Sequence, residues 1–382
     1  MFLENILFLR HKPKAEIKEL VAAVGLNNLA ASMIMLFEPV FLYQLGFTLS
    51  GIMLYYAVLY SVYFFILPLA GKIASRFGFE HSILYSNPIF IIYLAVLFLA
   101  SFNHQLVWLA AVIFAINKTF YWPAFHANFA RYSSVDSRGR ELSSLNAISL
   151  ILTVLGPLAG GIILKFSGFG ALFLICSIII LISSWPLVRT REKFVPTDFS
   201  YSDSFDRLRH RKFRPAVISF LGFAEELLTL TVWPLFMFII FKNSYLSFGA
   251  ISAISVGLAI LISYYIGYLV DKKNDRHLKN PLVIIYAFSW LWRAVSQTPL
   301  LVALGDVYNK TAKTGLYLPY FSLIYRQANR RGNLKYSLIM EMSLALAKAV
   351  IAWVLFFVFI LWPSFSLAFV FAGVLSLLYL IL

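Results

Sequence analysis

Ionisable residues interrupt several long apolar stretches of this 382-residue chain, and they are the residues most able to do chemistry. A charged side chain costs several kcal/mol at membrane depth by most scales, so each one is a candidate functional group. The candidates for substrate binding or coupling are Glu38, Lys118, His126, Glu225, Glu226, Asp306, Lys310 and Lys313. Carboxyl and imidazole groups can carry protons, whereas the lysines favour polar or anionic solutes.

Proton coupling requires a group whose protonation changes at accessible pH. Glu226 and Glu225 are the first candidates, followed by Glu38 and then His126. A pair between Lys118 and either Glu225 or Glu226 would break when substrate or a proton arrives. The alternative for that pair is a permanent ion pair.

Other charges in the apolar stretches favour supporting roles. Asp306 and Lys310 are four residues apart, share a helical face and can satisfy each other. Glu341 and Lys348 are seven residues apart on one face and are expected to form a supporting pair. Arg293 either extends to the membrane surface or contacts another helix.

Aromatic residues accompany these charges. Five of them are expected to line an amphipathic site: Tyr121, Trp122, Trp233, Tyr317 and Tyr320. The chain has no phosphate-binding loop, metal cluster or nucleophile-base arrangement, and its single cysteine is Cys176. The sequence therefore predicts a protein that is not an enzyme and needs no cofactor or metal.

Composition places these residues in an all-α integral membrane protein. The chain is 61% hydrophobic and only 13% charged, and each crossing needs about 20 mostly apolar residues. We predict twelve transmembrane spans at 19–43, 50–70, 82–102, 106–130, 142–165, 170–188, 215–241, 248–270, 281–298, 300–325, 336–361 and 364–382. An eleven-span alternative remains if the short hairpin at Gln297 is misassigned.

The net charge of +15 arises from basic residues concentrated in alternate connections. This asymmetry predicts that both termini are cytoplasmic, in a multi-pass protein of the cell membrane. The basic excess is therefore a topology signal, and the partners we expect are membrane lipid and a small-molecule substrate, not nucleic acid.

Internal landmarks recur at nearly one offset. Pro39 and Pro234 are 195 residues apart, and Gly71 and Gly267 are 196 apart. Because six spans separate the copies, the two halves are parallel across the membrane. The predicted units are an N-terminal six-helix half (1–188), a basic cytoplasmic linker (189–214) and a C-terminal six-helix half (215–382).

The connection after span 2 has a motif that is repeated after span 8. Its first copy contains Gly71, Arg76 and Gly78, with Ser75 where the pattern G-x-x-x-D-R-x-G has Asp. The second copy has Gly267, Asp271 and Lys272. With the two parallel halves, this motif resembles the major facilitator superfamily of secondary transporters. The resemblance implies a gating role for these six residues, and spans 1, 4, 7 and 10 as cavity helices.

Span 5 contains a second motif, built from Gly156, Pro157, Gly160 and Gly161. Proline kinks a helix, and glycines permit close helix packing. The motif resembles one that efflux members of this superfamily carry in their fifth span, and it favours export. The alternative is a packing kink with no functional meaning.

Together these observations predict a monomeric secondary transporter that works by alternating access. The leading hypothesis is proton-coupled export of amphipathic or drug-like molecules. One alternative is a symporter that takes up a small polar or anionic solute, since three lysines lie on the cavity helices. Another is a transport-inactive membrane sensor or assembly partner.

Overall fold

The protein is an all-helical bundle over the residues that the structure, a computed structural model, describes: 15–132, 139–189, 200–272, 275–331 and 333–381. Long apolar segments form helices because a lipid-exposed backbone must satisfy its own hydrogen bonds. Eight helices in these ranges are long and apolar enough to cross a membrane. Part of the predicted linker, residues 190–199, lies outside the described ranges.

Helical segments occupy each of the twelve predicted spans. In the N-terminal half they are Ala15–Met35 with Glu38–Gln44 (span 1), Leu49–Phe77 (span 2), Phe79–Leu99 (span 3), Leu106–Tyr132 (span 4) and Gly139–Arg189 (spans 5 and 6). A short helix, Tyr201–Arg209, follows on the linker.

The C-terminal half has the same order of elements. Its helices are Arg214–Leu221, Glu225–Leu230 and Val232–Ile240 (span 7), Tyr245–Lys272 (span 8), Asp275–Val295 (span 9), Pro299–Arg331 (span 10), Asn333–Leu361 (span 11), and Phe365–Ser376 with the 3₁₀ turn Leu377–Ile381 (span 12).

The first span of each half is broken at matching positions. Span 1 restarts at Glu38, with Pro39 in its first turn. Span 7 restarts at Val232, with Pro234 in its first turn. Proline lacks the backbone N–H of a continuous helix, so it suits the start of a new segment. The offset in the sequence is thus matched by a shared break in the fold.

Spans 5 and 6 follow each other without a separate loop, and the chain reverses at Gly168. The φ of Gly168 is 74°, a left-handed conformation that favours glycine. On one side of it, a Cβ at Gly156 would lie against Ser32. On the other, Ser183 lies 3.3 Å from the amide nitrogen of Asn87 in span 3.

Spans 9 and 10 form the hairpin on which the twelve-span count depends. Helix Asp275–Val295 ends and helix Pro299–Arg331 begins within a few residues. The indole of Trp292 donates to the Leu301 carbonyl at 3.1 Å. This geometry is consistent with twelve spans.

Two pairs of spans make the most extensive contacts between the halves. Spans 2 and 11 meet where Tyr63 donates to Glu341 (2.8 Å) and Trp353 donates to Ser61 (3.1 Å). Spans 5 and 8 meet through their backbones, because a Cβ on Gly249 would lie 2.3 Å from the Pro157 carbonyl oxygen. Residues near these two contacts therefore lie between the halves.

The predicted gating motif is described only in its first copy. Gly78 ends span 2 with a φ of 90°, and span 3 starts at the next residue. Gly71 is buried, Arg76 lies over the Phe77 ring at 5.5 Å, and Ser75 donates to a carbonyl of its own helix. The side chains of the second copy, Gly267, Asp271 and Lys272, lie outside the described residues.

Candidate functional site

Glu38 lies buried at the break of span 1, where three phenols surround its carboxylate. Tyr55 donates at 2.7 Å, Tyr56 at 3.1 Å and Tyr93 at 2.5 Å. Spans 2 and 3 supply these tyrosines, and Glu38 is only 3% exposed. Since all three donors are neutral, the carboxylate keeps hydrogen-bond partners in either protonation state.

Glu225 in span 7 has two phenol donors and a cation. Tyr286 donates at 2.6 Å and Tyr379 at 2.9 Å, while Lys313 lies 3.5 Å away. Tyr93 and Tyr286 each follow an Asn-Pro pair by five residues, so equivalent positions of spans 3 and 9 serve the two carboxylates.

Glu226 forms a second set of ion pairs. Lys348 of span 11 donates a short hydrogen bond to it, and Lys313 lies 3.7 Å away. Tyr317 donates to it at 3.2 Å. The Glu226 side chain is 26% exposed, so this network borders accessible space between spans 7, 10 and 11.

Asp306 in span 10 accepts from two cations and an indole. Lys310 lies at 2.7 Å, Arg293 at 3.2 Å and the Trp233 nitrogen at 2.9 Å. The fully buried Arg293 lies over the Trp233 and Trp290 rings at 4.1 and 4.7 Å. The predicted Asp306–Lys310 pair is therefore confirmed, and Arg293 contacts a neighbouring helix.

His126 in span 4 joins the two halves. Its Nε2 lies 3.1 Å from a Glu341 oxygen on span 11, and Tyr63 of span 2 donates to the other oxygen. Glu341 was expected to support Lys348 on its own helix, but Lys348 binds Glu226 instead. The two residues therefore form no direct ion pair, because each side chain turns toward another span, but they still interact electrostatically from beyond contact distance.

Lys118 in span 4 lies among aromatic rings. Its Nζ is 4.6 Å from the Phe114 ring centre, 5.6 Å from that of Tyr60 and 5.9 Å from that of Trp122. Among the described side chains, no carboxylate oxygen lies within 4.0 Å of it.

The predicted pair between Lys118 and Glu225 or Glu226 is therefore wrong. Lys313 and Lys348 take the place of Lys118, because they project from spans 10 and 11 toward the same two carboxylates.

The five predicted lining aromatics divide into two groups. Tyr121, Trp122 and Tyr317 are half-buried, and Trp122 stacks on His126 at 5.7 Å. Trp233 and Tyr320 are 1% and 0% exposed, bonded to Asp306 and to Ser219. The last two therefore pack in the interior and do not line accessible space.

The glycines of span 5 are close-packing positions. A Cβ at Gly160 would lie 2.8 Å from Met33 O and from the Phe37 ring, and one at Gly161 would lie 2.6 Å from the Tyr245 carbonyl oxygen. Spans 1 and 8 occupy the space that side chains would need. The packing alternative for this motif thus accounts for its glycines.

The bundle is closed at the end that holds the connections after spans 1 and 7. Gln44 of span 1 donates a short hydrogen bond to the Tyr245 hydroxyl of span 8. Phe37 lies 5.2 Å from Phe248, and Phe238 lies 5.0 Å from Tyr245. Spans 1 and 8 therefore bring the halves into contact at this end, with span 7 packed beside them, and we call it the closed end.

The residues missed by sequence analysis are mainly hydrogen-bond partners. Tyr55, Tyr56 and Tyr93 surround Glu38, and Lys348 binds Glu226. Only Tyr93 carried a signal, through its position after the repeated Asn-Pro pair. Within the described residues, no group of three or more His, Cys, Asp and Glu side chains could hold a metal ion.

Comparison with known proteins places this geometry in context. The profile of the Major Facilitator Superfamily matches residues 20–333. A crystal structure of a variant of the E. coli fucose:proton symporter FucP matches with a TM-score of 0.65 at 17% identity, covering 96% of this chain and 97% of that one. FucP in the outward conformation gives a TM-score of 0.64 at 16% identity, with the same coverage. No curated protein matches.

Proposed function

Because the chain belongs to the major facilitator superfamily, we propose that it is a proton-coupled secondary transporter that works by alternating access between its two halves. The family assignment confirms the resemblance, and it makes the chain a multi-pass membrane transporter of a small molecule and not an enzyme. The coupling ion, the direction of transport and the substrate are the proposed parts.

The surroundings of Glu38 are the main support for proton coupling. Of the five described carboxylates within the predicted span bounds, Glu225, Glu226, Asp306 and Glu341 each have a basic side chain within 4.0 Å. Glu38 has only phenol donors at hydrogen-bond distance. An ion pair favours a permanently ionised carboxylate, whereas neutral donors permit protonation and release. We therefore place Glu38 ahead of Glu225, Glu226 and His126 as the coupling group.

Uptake by symport is supported better than export. The argument for export came from the glycine motif of span 5, and packing against spans 1 and 8 accounts for those glycines. The similar structures are of a protein described as a fucose:proton symporter. At 17% identity this likeness concerns the fold, so it adds only general support for symport.

The remaining proposals concern placement in the cell. We place the protein in the cell membrane as a monomer with both termini cytoplasmic, following the charge asymmetry of its connections. In that orientation the closed end faces outward. The seal formed by Gln44 and Tyr245 then belongs to the state that is shut toward the outside.

Proton flux in proteoliposomes tests this function. Purified protein is reconstituted with a trapped pH-sensitive dye, and small sugars, carboxylates and cationic dyes are added outside. Symport predicts that an entering solute acidifies the interior, whereas antiport predicts alkalinisation. Glu38→Gln is expected to abolish the proton flux, because an amide cannot release a proton at accessible pH.

The matched control is Asp206→Asn, the same change on the linker helix, which should leave proton flux at the wild-type level. Solute entry without any proton movement would refute proton coupling. Equal proton flux in wild type and Glu38→Gln would refute the role of Glu38.

A further inference from the structure

Lys118 is a cation with no carboxylate at contact distance among the described side chains. Phe114, Tyr60 and Trp122 surround it at 4.6, 5.6 and 5.9 Å. Cation–π contacts stabilise a lysine by roughly 0.5–2 kcal/mol, but they leave its charge in place. In a membrane interior such a charge carries a large free-energy cost unless an anion compensates it.

Three other lysines of the interior lie at contact distance from a carboxylate. Lys310 lies 2.7 Å from Asp306, and Lys313 lies 3.5 Å from Glu225. Lys348 binds Glu226 directly. Lys118 is thus the exception among the four, although all are on helices that face the space between the halves.

The position of Lys118 makes it available to a ligand. Lys118 and Trp122 are both half-buried, whereas Tyr60 and Phe114 below them are 4% and 3% exposed. The Tyr60 ring also contacts Lys348 of the other half at 5.5 Å. A ligand bound at Lys118 would therefore lie against both halves of the transporter.

We propose that Lys118 binds the anionic group of the transported solute, which is a small organic carboxylate whose apolar part packs on Trp122. This inference rests on the proposed transport function and names its substrate class. Trp122 supplies the apolar surface beside the cation, with Phe125 packed against it at 5.8 Å.

The charges near Lys118 connect this site to proton coupling. Glu38 acts on Lys118 electrostatically from beyond contact distance, while Lys348 is held by Glu226. Protonation of Glu38 removes the negative charge that competes with an incoming anion. Carboxylate binding and proton binding therefore favour each other, and by thermodynamic linkage each strengthens the other equally. This is the requirement for symport.

Ligand binding to purified full-length protein tests the assignment. The probes are benzoate, its neutral analogue benzamide, its cationic analogue benzylamine, and inorganic phosphate, measured by thermal stabilisation across a concentration series. Benzoate is expected to stabilise the wild-type protein more than the other three probes.

Variants at two lysines complete the test. Lys118→Met should weaken benzoate binding by more than about tenfold, because truncating one partner of a desolvated charge pair is costly. Lys118→Arg should retain most of the binding. Lys165→Met is the matched control, since Lys165 is an exposed lysine over the Phe166 ring at 5.2 Å. It should bind benzoate like wild type.

The outcomes separate this inference from the transport proposal. Equal binding of benzoate by wild type and Lys118→Met, preference for any of the other three probes, or no benzoate binding would overturn the carboxylate site. Proton-driven transport of a neutral or cationic solute would overturn it while leaving the transporter proposal intact. Benzoate binding without proton flux in the liposome assay would overturn the proposal of proton-coupled transport while leaving the carboxylate site intact.

Discussion

Spans 4 and 10 contain the same triplet, Asn-Lys-Thr, yet their lysines have different partners. Four residues before Lys310 stands Asp306, which binds it at 2.7 Å. Four residues before Lys118 stands Phe114, whose ring lies 4.6 Å from the ammonium. One position per helix thus decides whether the lysine is neutralised. The lysine in span 10 has a carboxylate partner, which it shares with Arg293, while the lysine in span 4 has none at contact distance among the described side chains.

The carboxylates of the two halves also differ in whether a basic side chain binds them. In the C-terminal half, Asp306 and Glu226 are matched to lysines and to Arg293, which fixes their charge. In the N-terminal half, Glu38 has phenols at hydrogen-bond distance and no cation. Charges that are matched at all times stabilise helix packing, and unmatched groups can exchange ligands. The comparison supports the proposal that the coupling groups lie in the N-terminal half.

The largest effect is expected from Asp306→Asn. The change leaves Arg293 and Lys310 without their carboxylate, and breaking a buried ion pair costs about 3–5 kcal/mol of unfolding free energy. Thermal unfolding in detergent micelles measures it. Glu38→Gln is the comparison variant, and it should cost about 1 kcal/mol because the phenols can still donate to the amide oxygen. If Asp306→Asn and Glu38→Gln lowered the free energy of unfolding equally, the contrast between the ion-paired Asp306 and the phenol-bound Glu38 would be contradicted.

Removing Lys310 or Lys118 should give a smaller difference in unfolding free energy between the two variants. Lys310→Met should lower the free energy of unfolding by about 1–3 kcal/mol, since Asp306 keeps Arg293 and Trp233 as partners. Lys118→Met removes no ion pair, and its lost cation–π contacts, roughly 0.5–2 kcal/mol, are offset by the lower cost of burying an uncharged side chain, so its net loss should be smaller than that of Lys310→Met. The same unfolding measurement compares the two. A larger loss for Lys118→Met would mean that Lys118 has a structural partner after all.

Transferring the arrangement of span 10 to span 4 should have the smallest of the three effects, and it is measured as a change in the free energy of benzoate binding. Phe114→Asp places a carboxylate four residues before Lys118, and the internal pair should weaken benzoate binding about tenfold, or 1.4 kcal/mol. Phe114→Asn is the matched control, because it removes the same ring without adding charge. If the two variants bind benzoate equally, neutralisation of Lys118 is not what limits binding.

The architecture was predictable because its signals are local in the sequence. Apolar length predicted the spans, and the repeat landmarks Pro39 and Pro234 lie at helix breaks that the structure has at matching positions. Asp306 and Lys310 were predictable as a pair because they lie one helical turn apart. In each case the partners are close in sequence or repeated at one offset.

Contacts between spans were not predictable, because they depend on how each helix is rotated about its axis. Lys118 and Glu226 carry opposite charges on cavity helices, yet Lys348 of span 11 faces Glu226 instead. Tyr93 reaches Glu38 from 55 residues away. Charge type alone could not choose among such partners, so the sequence named many of the groups and paired them incorrectly.

The backbone contact between spans 5 and 8 offers a means of control. Gly161 and Gly249 meet where an added Cβ would lie 2.6 and 2.3 Å from carbonyl oxygens of the facing span. Backbone faces backbone at this point, so a single added methyl group would set how closely the halves approach. An alanine at position 249 would act as a wedge, holding this end of the transporter open for trapping and imaging the opposite state.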